Sequence, residues 1–185
     1  MIAHYDSEGN SPGAADDGVA VASLLEAMRI LSYQEDVKNS IYFLLTDGEE
    51  IGSVGADYYC KNPLIKSDTI NLAVNFEARG NKGVPFMFET SNNNKEIVKI
   101  ISKNVSKKWM FSWSNALYKI MPNITDLNKF LEMNYSGINF AMIDGFQNYH
   151  SPGDNYQNLS RKSANQYLNT TIDLVIIFKM TIHVS

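Results

Sequence analysis

The chain has 185 residues, enough for one domain with a sizeable core, and its 44% hydrophobic and 19% charged content is that of a globular protein. A formal charge of −4 excludes a general attraction to nucleic acid or anionic lipid. The single cysteine, Cys60, excludes an internal disulfide and a cysteine-rich zinc site, and no segment has the apolar length of a membrane span.

The spacing of Val21, Leu24, Leu25, Met28 and Leu31 predicts a helix over 18–31. Ile41 to Leu45 is a short apolar run ending in Thr46-Asp47-Gly48, a buried strand entering a turn. Leu72 to Phe76 and Pro85 to Glu89 read as further strands, the latter with Phe86 and Phe88 on one face. Ile97, Ile100, Ile101 and Val105 predict a helix over 95–107, and a short one follows over 126–133. Gly137 to Ile143 is a strand. Ser160 is suited to cap a last helix through about Met180, with Ala164, Tyr167, Leu168, Ile172, Val175 and Ile176 facing inward. Apolar strands alternating with helices imply an α/β sandwich with a mostly parallel sheet. The lone Cys60 reads as a small buried hydrophobe.

Five turn-like segments each carry a metal-type ligand: His4-Tyr5-Asp6-Ser7, Pro12 to Gly18, Asp47-Gly48-Glu49-Glu50, Asn75 to Gly80, and Tyr149 to Asp154. They fall at strand ends and in the loops after them, where open α/β folds place their sites. Singly, each has a plain reading. Glu49-Glu50 could be a solvated acidic turn, one of Asp16 and Asp17 is expected to cap the following helix, and His150 could be an exposed loop residue. Jointly they supply two imidazoles, three candidate ligand carboxylates and a spare carboxylate, the inventory of a two-zinc hydrolase site with its own base. His4 and Asp6 are two apart, so on an extended strand Asp6 can orient the imidazole through its second nitrogen.

The segments AHYDS, PGAADDG, TDGEEIG, NFEARG and YHSPGDN, in this order, resemble the co-catalytic zinc exopeptidases (peptidase family M28), which include bacterial leucyl aminopeptidases, glutamate carboxypeptidase and the endoplasmic reticulum metallopeptidases. The resemblance implies a three-layer α-β-α sandwich with a mixed, mostly parallel central sheet, a single catalytic domain over 1–185, and a cis peptide between Asp16 and Asp17. It implies two Zn2+ per chain. Asp16 bridges them, His4 and Glu77 complete one site, and Glu50 and His150 complete the other. Glu49 is the general base of a zinc-activated water, Asp6 supports His4, and Tyr149 or Arg79 steadies an oxyanion or a substrate terminus. The implied activity is an aminopeptidase acting on peptides.

The family often has Asp where this chain has Glu77, which leaves a carboxypeptidase as an alternative. A one-zinc transferase like glutaminyl cyclase would not need His4, and binding modules on this fold lose ligands that this chain keeps. Family domains place a helix and paired strands before the His-x-Asp segment, so the fold is expected to be missing its first elements. The chain is then an N-terminally incomplete piece, weakly active alone, with His4 poorly anchored, from a protein that is secreted, periplasmic or membrane-anchored.

Overall fold

The computed structural model describes residues 1–65, 72–106, 108–111, 113–118, 120–121 and 123–180. The expected end of the third helix at Lys107, and the remaining histidine, His183, lie outside them. Six strands form one sheet: β1 (Ile2–His4), β2 (Leu44–Thr46), β3 (Ala73–Ala78), β4 (Phe86–Thr90), β5 (Trp109–Met110) and β6 (Gly137–Met142). Their order is β2-β1-β3-β6-β4-β5. Every pairing is parallel except β4 with β6, so the sheet is mixed and mostly parallel.

The helices are α1 (Ala20–Leu31), α2 (Val54–Lys61), α3 (Lys95–Asn104), α4 (Ser114–Tyr118), α5 (Asp126–Glu132) and α6 (Arg161–Met180). The pleat sends alternate side chains to opposite faces. Ala3, Val74, Phe76, Ala78, Ile138, Phe140 and Met142 share one core with Leu24 of α1, Ile97 and Ile101 of α3, and Tyr167, Leu174 and Phe178 of α6. Ile2 and Ala73 join the second core, with Ala56 and Cys60 of α2 and Leu127 and Phe130 of α5. Cys60 is 4% exposed, the small buried hydrophobe expected of it. The result is the expected layering of helix, sheet and helix. Period two then places His4 with Ile2, and Asn75 and Glu77 with Ala73, so the second face turns polar toward the strand ends.

Several expectations shift. β2 keeps only the end of the apolar run at 41–45, while Ile41 and Phe43 pack against the first core ahead of it. β3 extends two residues past Phe76, which puts Glu77 inside the strand. α1 buries Ala20, Ser23, Leu24 and Ala27, and leaves Leu25 and Met28 exposed, because small residues let this helix lie close on α6. α6 buries Thr170, Thr171 and Leu174 along with Tyr167 and Val175, while Ile176 is exposed. Ser160 does cap α6, accepting from Ser163 N through Oγ. His4 is not loosely held: β1 lies between β2 and β3, and His4 is 1% exposed.

Candidate metal centre

Four neighbouring parallel strands, β2, β1, β3 and β6, end at the same edge of the sheet, and the candidate residues come from those ends. His4 closes β1, and Glu77 lies near the end of β3. Glu49 and Glu50 follow β2, and His150 lies beyond β6. Asp16 sits in the irregular turn Ala14–Val19 that leads into α1, and its peptide with Asp17 is cis.

His4 Nε2 lies 3.3 Å from Asp16 Oδ1 and 3.7 Å from Glu77 Oε2. His150 Nε2 lies 3.3 Å from Asp16 Oδ2 and 2.9 Å from Glu50 Oε2. The two oxygens of Asp16 thus face two separate clusters, His4–Asp16–Glu77 and Asp16–Glu50–His150. Each has its donor atoms within 4.8 Å of one another, a spacing that could hold a metal ion.

The His4 tautomer follows from a contact with the main chain. Nδ1 is 2.9 Å from the Asp6 carbonyl oxygen, which can only accept, so the proton sits on Nδ1 and the Nε2 lone pair is free. The Asp6 carboxylate stands farther from the ring, at 3.4 Å. It accepts instead from Glu49 N at 3.1 Å and Glu50 N at 3.2 Å. Asp6 therefore braces both glutamates through their backbone while its carbonyl orients His4.

Asp17 does not cap α1 as expected; its Oδ2 accepts from His4 N at 3.3 Å. The Asp154 carboxylate accepts from Ala15 N at 2.8 Å and Asp16 N at 3.0 Å, and its carbonyl from Ala14 N. Glu77 is held on three sides. Asn75 Nδ2 donates to its Oε1 at 3.0 Å, and the Tyr167 hydroxyl accepts from its N–H and donates to its carbonyl at 2.8 and 2.7 Å. Asp154 and Asn75 stand inside recognisable segments, which was the available signal for them. Tyr167 carried no signal beyond its place on the inner face of a helix.

Burial and the Glu77 charge push the Glu49 carboxyl up to about 9, and burial with the Asp16 charge pushes Glu50 up to about 7. Burial also raises Glu77. Asp16 moves the other way: burial opposes it, but the His150 and His4 imidazoles hold it below its usual range. Such crowding of carboxylates calls for positive charge. The donor set of imidazole nitrogens and carboxylate oxygens suits zinc. His4 Nε2 and Glu50 Oε1 are buried with no hydrogen-bond partner, as ligand atoms would be. The residues present therefore fit a metal pair. The Glu49 carboxylate has no hydrogen-bond or ion-pair partner among the described residues and opens on the adjoining cavity.

That cavity is about 470 Å³. Asp16, Glu49, Glu50, Glu77, Tyr149 and His150 line it, together with the apolar Phe86, Phe88, Trp113, Leu117, Met121 and Ile143. The Tyr149 ring stacks on His150 with centroids 3.7 Å apart. Residues 126–130 and 145–148 do not line the cavity. Leu127 and Phe130 belong to the second core, and the wall comes from β4 and the segment around α4.

A mostly parallel α/β sheet here brings two carboxylate–imidazole clusters to its strand ends. The chain belongs to peptidase family M28, whose model matches residues 1–175. A putative endoplasmic reticulum metallopeptidase 1 of Schizosaccharomyces pombe is 34% identical over 157 residues, 82% of this chain. A vacuolar membrane protease of Candida dubliniensis is 28% identical over 179 residues, 94% of this chain. The chain spans 18% of the length of each.

Among solved structures, an aminopeptidase of Legionella pneumophila superposes with a TM-score of 0.74 at 19% identity, covering 98% of this chain and 50% of that one. A zinc aminopeptidase of Bacillus subtilis gives 0.73 at 20% identity, over 94% and 44%. A glutaminyl cyclase of Porphyromonas gingivalis gives 0.65 at 19%, over 96% and 69%. At these identities the likeness is one of fold.

Proposed function

We propose that this is the catalytic domain of a zinc-dependent exopeptidase, an aminopeptidase by preference, with two zinc ions held at His4–Asp16–Glu77 and at Asp16–Glu50–His150. The observation that carries the reading is the division of Asp16, one oxygen to each cluster, beside an uncommitted Glu49. Three ligand carboxylates against two divalent cations leave one positive charge, which an anionic oxygen at the centre would balance.

Bound zinc would supply a Lewis acid for the scissile carbonyl and a water acidified toward neutral pH. The protein's own groups do the rest. Glu49 accepts a proton from water and passes it to the leaving amine. Its raised affinity for protons, which the cations would lower, suits a group that must both take and release one. Asp6 holds Glu49 at its amide, so the carboxylate is aimed without being hydrogen-bonded away. The half-buried Tyr149 hydroxyl, kept protonated by burial, can donate to a developing oxyanion. The apolar lining of the cavity, Phe86, Phe88 and Trp113 included, receives the side chain of the terminal residue. Placement in a vacuolar or endoplasmic reticulum membrane protein follows the two named relatives and is part of the proposal.

The test is metal content and turnover of the zinc-reconstituted protein beside Glu49→Gln. About two zinc per chain in both, with hydrolysis of aminoacyl chromogenic substrates falling on the order of 10²–10⁴-fold in the variant, supports the reading. Cyclisation of N-terminal glutaminyl peptides in place of hydrolysis would move the protein to the transferase reading. Failure to bind zinc would leave a non-catalytic binding module.

A further inference from the structure

Arg79 is the only guanidinium or ammonium group among the described residues lining the cavity, which it shares with four carboxylates. Its main chain is fixed: Arg79 N donates to Met142 O at 2.7 Å, just beyond the β3–β6 ladder. At Gly80 a Cβ would stand 2.3 Å from Asp144 O, so the chain passes too close to its neighbour for any side chain there. The Arg79 guanidinium lies 5.4 Å from the centroid of the Tyr149 ring, whose stack on His150 ties it to the second ligand cluster. Yet Arg79 is exposed and forms no ion pair with a described carboxylate.

An arginine in an acidic cavity, laid on an aromatic ring and left unpaired, is a preorganised receptor for an incoming anion. The ring limits its rotamers, and the planar fork matches a carboxylate. Without it, an anionic ligand would meet only the charges of Asp16, Glu49, Glu50 and Glu77. Arg79 lines the same cavity as both ligand clusters, so a short peptide whose carbonyl meets the clusters can turn its terminal carboxylate to Arg79.

We infer that Arg79 binds the α-carboxylate of the substrate residue that follows the scissile bond, so that the preferred substrates are dipeptides and other short peptides ending there. This rests on the hydrolytic reading above. It goes beyond it by naming the group that Arg79 receives.

The test compares phenylalanyl-leucine, its C-terminal amide and phenylalanyl-glutamic acid α-amide, which carries its only carboxylate on the side chain. The zinc-loaded protein should show kcat/KM at least ~10-fold higher for the free dipeptide than for its amide, the scale of one charge-assisted hydrogen bond. In Arg79→Gln that ratio should fall toward one, chiefly through KM for the free acid, and Arg79→Lys should keep part of it. A ratio near one in the parent, or a ratio unchanged in Arg79→Gln, overturns the inference. So does a side-chain acid handled as well as the free dipeptide. Calorimetric binding of the same peptides to zinc-loaded Glu49→Gln gives the ratio without turnover. If the acid binds tighter in an Arg79-dependent way but nothing is hydrolysed, the peptidase reading fails and the Arg79 assignment stands. If acid and amide bind equally, the Arg79 assignment fails whatever the activity.

Discussion

The Asp154 carboxylate takes two main-chain amides, those of Ala15 and Asp16, in a buried setting, and so fixes the turn that presents both oxygens of Asp16. Asp154→Ala leaves two buried N–H groups unpaired, at ~1–3 kcal/mol each. It also frees the residue proposed to be common to both metal sites, and loss of such support costs ~10–100-fold in metal affinity. The expected result is a lower melting temperature together with weaker zinc binding in competition with a chelator. Parental zinc affinity in a folded variant would show that Asp16 does not depend on this brace. Cys60 offers a contrasting case. Burial pushes its thiol up to about 11, and it packs between Ala56, Leu127 and Phe130. At pH 8 a thiol reagent should label it far more slowly in the folded protein than in denaturant. Equal rates would mean that α2 opens freely.

At the scale of elements, α6 does more than cover the sheet. Its Tyr167 passes through the first core, edge-on to Phe76 at 5.8 Å, and spends its hydroxyl on both backbone groups of Glu77. Tyr167→Phe keeps the ring and removes both bonds, so it should destabilise by ~1–3 kcal/mol. A fall in urea midpoint with an unchanged slope would register this; no change would mean that water replaces the hydroxyl. The long elements were legible because their apolar residues repeat: β3, β4, β6, α3, α5 and α6 all lie where the spacing puts them, within a few residues. The short ones were not. β1 has three residues and β5 two, too few for any period. α2 buries only Ala56 and Cys60, so its sequence shows no apolar stripe. On α1 the structure keeps Val21 and Leu24 of the apolar spacing against the core but exposes Leu25 and Met28, because the small residues Ala20, Ser23 and Ala27 take the close contact with α6. The site segments were legible for another reason. Glycines and paired acidic residues after apolar runs mark strand ends, whereas the cavity wall around Trp113 and Leu117 carries no such mark.

Across the whole molecule, the parallel arrangement of β2, β1, β3 and β6 explains how residues from 4 to 150 meet: each strand delivers its following segment to one edge. The same convergence concentrates negative charge. Asp16, Glu49, Glu50 and Glu77 share one cavity, and burial drives Glu49 and Glu50 toward the protonated form. The fold thus works against its own site unless cations offset that charge, and this couples metal to stability. A ligand at 100 times its dissociation constant stabilises by ~2.7 kcal/mol. For a chain of this size that corresponds to about 5–10 °C in melting temperature. Chelation should therefore lower the melting temperature by that amount and zinc should restore it. Magnesium should not, since it prefers an octahedral oxygen shell to imidazole nitrogen. A melting temperature indifferent to chelator and zinc alike would mean that the clustered carboxylates are neutralised by protons, and the two-cation reading would fall with it.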